Sequence, residues 1–88
     1  MESRIRDTIL RFFRQKKQLK DIGEDDRFFE LGASSLTIIE LQIAIEEALG
    51  VTIPTAQLMR FDTIKEWIAA YSLRAQDRDG ISIPETSI

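Results

Sequence analysis

The chain has 88 residues, a net charge of −3 at neutral pH, no cysteine and no histidine. That length admits one small domain with a single core, which excludes an enzyme assembled from a cofactor fold and a separate substrate fold. Disulfides and thiolate metal sites are excluded, and the commonest general base and metal ligand is missing, so this chain is not expected to be an enzyme.

Charge is unevenly placed. Residues 1–20 hold Arg4, Arg6, Arg11, Arg14, Lys16, Lys17 and Lys20 against Glu2 and Asp7. Residues 21–50 reverse this, with Asp21, Glu24, Asp25, Asp26, Glu30, Glu40, Glu46 and Glu47 against Arg27. The acidic balance argues against a nucleic-acid backbone as partner and favours another protein. No apolar run approaches the roughly 20 residues of a membrane span. The N-terminus interleaves charge with Ile5, Ile9 and Leu10 in place of a signal-peptide core, so a soluble, cytoplasmic protein with no membrane partner is expected.

In chain order, Ile5, Ile9, Phe12, Phe13 and Leu19 fall on one side of a 3.6-residue wheel and predict an amphipathic helix over residues 4–19. Residues 20–34 lack helical periodicity and contain Gly23 and Gly32. Ile22, Phe28, Phe29 and Leu31 are too apolar for a free linker, which predicts a long loop pinned to the core by its aromatics. Ser34 or Ser35 can cap a second helix ending at Leu49, with Gly50 as the stop. Ile53 and Pro54 read as an extended turn, and residues 55–60 as a short helix. Thr63 and Glu66 form a capping box opening a last helix that carries Ile64, Trp67, Ile68 and Tyr71 to about Arg74. Residues 76–88 have no period and predict a disordered tail. The expected fold is all-α: three main helices plus a short one, with a long first connection, as one unit over residues 1–75.

On the second helix, Ile38, Leu41, Ala44, Ile45, Ala48 and Leu49 make the arc expected to face the core. Leu36, Ile39 and Ile43 lie almost opposite, beside Glu40, Glu46 and Glu47. A central helix burying both faces would account for that pattern, and so would an apolar docking ridge edged by carboxylates. At the helix start a serine hydroxyl follows a glycine turn. The N-terminal amides and the positive end of the helix dipole favour an anionic group there, although capping alone also explains serines at such a position.

The stretch Leu31, Gly32, Ala33, Ser34, Ser35, Leu36 resembles the signature of the acyl carrier and peptidyl carrier protein family, in which a serine bears a 4′-phosphopantetheine arm. Glu40, Leu41, Glu46, Glu47, the Gly50 stop, Ile53 with Pro54, and the helix opening at Thr63 and Ile64 also stand where a carrier protein has them. The resemblance spans Asp26 to Tyr71. It implies that Ser35 is the attachment residue, with Gly32, Ser34 and Leu36 around the arm. With the ridge seen on the wheel, docking is expected through Leu36, Thr37, Ile39, Glu40, Ile43, Glu46 and Glu47.

Two positions depart from the pattern. Ser34 stands where Asp or His is common, and Thr37 where fatty-acid carriers are often acidic; both soften the acidic patch that fatty-acid enzymes read. The Phe28, Phe29, Glu30, Leu31, Gly32 lead-in looks like carriers of nonribosomal peptide and polyketide assembly lines, whereas Ala33 is nearer the acyl carrier form. The implied partners are a phosphopantetheinyl transferase, loading enzymes (adenylating or acyltransferase) and downstream biosynthetic enzymes, with cargo held as a thioester on the arm. A free-standing carrier is expected from Met1 and the short tail, and a monomer is expected as well.

Rival classes fare worse on the residues. A serine hydrolase lacks a histidine to activate either serine. Glu24, Asp25 and Asp26 lack the ligand spacing and central glycine of an EF-hand, so a solvated acidic loop is expected and no metal. The basic first helix spreads its charge along a helix whose other face is core, unlike a DNA-reading helix. The alternative that stands is an unmodified helical interaction module with the same fold.

Overall fold

The computed structural model describes the backbone of residues 2–80 and the side chains of residues 3–76. Four α-helices follow one another: α1 (Glu2–Arg14), α2 (Ser35–Leu49), α3 (Thr55–Leu58) and α4 (Ile64–Gly80), with a 3₁₀ turn at Lys17–Leu19. Among the described residues the extended pairing is limited to one antiparallel bridge, Arg27 with Thr63. The architecture is the all-α bundle that the periodicity predicts.

Helix α1 packs against both α2 and α4. Its Ile5, Ile9 and Phe13 are buried, and the core continues through Ile38, Leu41 and Ile45 of α2, Leu58 of α3, and Ile64, Trp67, Ile68, Tyr71 and Ala75 of α4. Phe13 meets Trp67 edge-on at 5.0 Å between ring centroids and Phe28 at 5.3 Å, so large rings fill the space where α1, the loop and α4 converge.

The first helix ends earlier than the expected residue 19. The amides of Gln15 and Lys16 reach only three residues back, to Phe12 and Phe13, which tightens the last turn. Arg14 turns aside, its Nε and Nη2 donating to the Ile22 carbonyl at 2.9 and 2.8 Å. Leu19 is still buried, but it is held by a 3₁₀ turn that follows extended backbone at Lys16 and not by the first helix.

The long loop is fastened at several points. Phe28 and Ile22 are fully buried, the Phe28 amide donates to the Asp62 carbonyl, and the Lys65 amide donates to the Glu24 carbonyl. The anchoring falls to these two side chains and to Ala33, because Phe29 and Leu31, expected to pin the loop as well, are exposed at 38% and 43%. The acidic stretch has separate local duties: Asp26 accepts from the Gly23 amide at 2.8 Å, Glu24 lies 3.8 Å from Arg6, and Asp25 lies 3.9 Å from Lys65. No acidic cluster among the described residues is arranged to hold a metal.

The capping box at α4 forms as predicted, with Glu66 N donating to Thr63 Oγ1 and the Glu66 carboxylate accepting from the Thr63 amide at 3.1 Å. Helix α4 then runs past the expected end near Arg74, through Gly80. Ala75 is buried at the start of this extension, so the 75/76 boundary between unit and tail falls inside a helix. The remainder of the expected tail, residues 81–88, lies outside the described residues. No helix among the described residues is long and apolar enough to cross a membrane.

Candidate functional site

The site is built by the end of the loop and the first turn of α2. Successive turns place the amides of Leu31 and Ala33 on the Phe28 carbonyl, at 3.1 Å each, and bring the chain round through Gly32. Gly32 has φ +109°, a region that L side chains rarely adopt, and a Cβ there would meet Gln18 only at ordinary contact distance. Its conformation, and not its small size, is what this position requires. Ala33 is buried directly behind the turn.

Ser34 and Ser35 then have different duties. Ser34 is the N-cap: extended at φ −98° and ψ 168°, its Oγ accepts from the Thr37 amide at 3.2 Å. Thr37, expected on the docking face, joins this cap, its Oγ1 lying 3.1 Å from Ser34 Oγ, and it is half-buried. Ser35 is the first helical residue, exposed, and its hydroxyl makes no hydrogen bond among the described residues. A phosphodiester on Ser35 would therefore displace no existing contact and would sit at the positive end of a 15-residue helix.

The outward face of α2 carries Leu36, Ile39 and Ile43, exposed at 66%, 36% and 57%. The inward face buries Ile38, Leu41 and Ile45 as predicted; Ala44 and Leu49, expected with them, are half-buried, Ala48 is exposed, and Gln42, not expected inside, is buried. Gln42 is buried because it is satisfied: Nε2 donates to the Ile53 carbonyl at 3.1 Å and to Glu46 at 3.2 Å, and Oε1 accepts from Thr55 at 3.0 Å.

Glu46, expected at the edge of the docking face, is drawn inward by the same network. Its Oε2 accepts from Gln42, from the Ile53 amide at 3.0 Å and from the Tyr71 hydroxyl at 2.8 Å. Burial, and then the carboxylate it donates to, push the Tyr71 phenol far above the usual range. One oxygen thus joins α2, the α2–α3 connection and α4. Glu40 stays exposed on the outward side, with Lys16 Nζ 3.2 Å away, and Glu47 makes no ion pair among the described residues. Phe29 and Leu31 were visible in the sequence as apolar residues, but whether a loop residue points in or out has no periodic signal.

An exposed, unbonded serine at a helix mouth beside an apolar, lightly charged helix face is the arrangement that the resemblance to carrier proteins implies. Comparison with known proteins agrees. A family model described as a phosphopantetheine attachment site matches residues 3–71. The chain is 40% identical over 56 residues to the hybrid PKS-NRPS synthetase apdA of Emericella nidulans, covering 64% of this chain and 1% of that one. It is 35% identical over 71 residues to a linear gramicidin synthase of Brevibacillus parabrevis, covering 77% of this chain and 1% of that one. To the acyl carrier protein of Treponema pallidum it is 46% identical over 37 residues, covering 42% of this chain and 47% of that one. No solved structure is significantly similar to the chain. The chain belongs to the phosphopantetheine attachment-site family, and is a non-catalytic carrier whose cofactor is a covalently bound phosphopantetheine. It spans only a small part of the synthases and under half of the carrier it matches.

Proposed function

We propose that Ser35 bears the 4′-phosphopantetheine arm and that the chain carries acyl or aminoacyl thioesters for a polyketide or nonribosomal peptide assembly line. The observation that supports Ser35 is the division of labour at the helix mouth: Ser34 is engaged as the cap while Ser35 is exposed and unbonded. A transferase supplies the arm from coenzyme A, the serine oxygen displacing the nucleotide portion at phosphorus. The arm's terminal thiol supplies the thioester chemistry, which fits a chain with no cysteine or histidine of its own. What this chain contributes is presentation. Gly32 turns the chain, Ser34 and Thr37 fix the first turn, and Leu36, Ile39 and Ile43 offer an apolar surface to a transferase, a loading enzyme and downstream enzymes. The flexible tether then raises the local concentration of cargo at each partner's active site.

Assembly-line membership draws support from the Phe28, Phe29, Glu30, Leu31, Gly32 lead-in and from the synthases to which the chain is similar. Attachment of the arm at Ser35 is directly testable. Intact-mass measurement after reaction with coenzyme A and a broad-specificity transferase tests it. The wild-type protein and Ser34→Ala should gain one phosphopantetheine and Ser35→Ala none. Modification of Ser35→Ala would refute the assignment, and an unmodified wild-type protein would favour a helical interaction module without a prosthetic group.

A further inference from the structure

Three carboxylates border the apolar ridge of α2 in sequence, yet the fold leaves them in three different electrostatic states. Glu46 is committed to Gln42, Ile53 and Tyr71. Glu40 faces out, but Lys16 lies 3.2 Å from it. Glu47 is exposed with no ion pair among the described residues. Lys16 comes from the segment just after α1, where the helix gives way to extended backbone with φ −78° and ψ 134°. The early end of α1 therefore sets down a cation beside the outward face of the neighbouring helix. Between Leu36 and Ile43 this face presents apolar side chains and one neutralised carboxylate.

We propose that Lys16 is a specificity-determining residue: by neutralising Glu40 it fits the α2 face to a partner whose contact surface is apolar, and against one that reads carboxylates with a cluster of Lys and Arg. This rests on the reading of α2 as the docking face and names the kind of partner that face accepts. A basic partner loses on two counts. Its cation must compete with Lys16 for Glu40, and it meets Lys16 itself as a like charge, which penalises a wrong partner. An apolar partner meets Leu36, Ile39 and Ile43, and the bridge costs it nothing to leave in place. An exposed ion pair contributes little to stability, so its removal leaves the fold intact while changing the charge a partner meets.

The test uses the intact protein, coenzyme A and two phosphopantetheinyl transferases, one whose carrier-binding surface is ringed by Lys and Arg and one whose surface is apolar, with kcat/KM of modification as the readout. Lys16→Gln should raise kcat/KM with the basic enzyme about twofold to fivefold, the factor equivalent to one exposed charge pair. That gain should shrink at high salt, where exposed charges are screened. With the apolar enzyme the variant should match the wild type. The double variant Lys16→Gln/Glu40→Gln should lose the part of the gain that works through the unmasked Glu40 and keep only the part that comes from removing the like charge of Lys16. An unchanged rate of Lys16→Gln with the basic enzyme overturns the proposal, and so does an equal gain in the double variant. Failure of the wild-type protein to be modified by either enzyme is a different result and overturns attachment itself.

Discussion

The inward and outward faces of α2 are built from nearly the same residue types. Ile38, Leu41 and Ile45 stand with Glu46 on one, and Leu36, Ile39 and Ile43 with Glu40 and Glu47 on the other. What separates them is where the polar groups find partners. Inside, Glu46 and Gln42 are bound to the α2–α3 connection and to Tyr71, so their burial is satisfied and helps fix α4 against α2. Outside, among the described residues, Glu40 has only the half-buried Lys16, Glu47 has no ion pair, and Leu36, Ile39 and Ile43 are exposed. One face closes the protein, and the other stays exposed to solvent.

The widest separation between the faces should appear on truncation. Leu41→Ala and Ile45→Ala should each cost about 2–5 kcal/mol, the range for buried aliphatic side chains, and should lower Tm clearly in thermal melts followed by circular dichroism. Next in size is Glu46→Ala, about 1.5–3 kcal/mol for a charge-assisted bond lost from a half-buried site, with Tyr71→Phe smaller at about 1 kcal/mol. If Glu46→Ala melted like the wild type, the carboxylate would belong to the outward face after all. Ser34→Ala should cost about 1 kcal/mol as a lost cap, whereas Ser35→Ala should leave stability nearly unchanged. Equal melts for those two variants would erase the distinction between cap and attachment residue.

Titration gives a finer contrast. Because the folded protein holds the Tyr71 proton more tightly than the unfolded chain, stability from this group is fully present below the ordinary phenol value near 10 and is lost as pH rises towards the raised folded value. Tyr71 is the sole tyrosine, so phenolate absorbance should appear together with unfolding and not before it. Glu66 behaves in the opposite sense and more weakly. The amide of Asp62 holds its carboxyl below the usual value against modest burial, with Thr63 adding to the effect. Its contribution is present above about pH 4.3 and is lost as pH falls through the lowered folded value. Thr63→Ala should reduce that acid sensitivity in pH-dependent melts.

Much of this was legible in the residues, and the exceptions share a cause. Helical period placed Ile38, Leu41 and Ile45 inside and Leu36, Ile39 and Ile43 outside, and the Thr63 and Glu66 pair marked the α4 start, because these signals are local. Gly50 stopped α2 in a left-handed conformation at φ 69° for the same local reason. The inward turn of Glu46 was not legible, since it depends on Tyr71, 25 residues away, and on an amide in the α2–α3 connection. The end of α1 was hidden likewise, because Leu19 fits the helical period in sequence although a separate 3₁₀ turn holds it, and because Arg14 bonds the Ile22 carbonyl eight residues on. Choosing Ser34 as the cap over Ser35 needed the backbone angles, since either hydroxyl satisfies the local pattern.

The division between the two faces is tested most directly on Ile43→Ser, by measuring its Tm and its kcat/KM for modification by the apolar-surfaced transferase side by side with Leu41→Ala. The account predicts that Ile43→Ser melts within about 1 kcal/mol of the wild type, as a surface substitution should, while its kcat/KM falls because an apolar anchor has been removed. An Ile43→Ser protein that melts as early as Leu41→Ala, or that is modified as efficiently as the wild type, would contradict it.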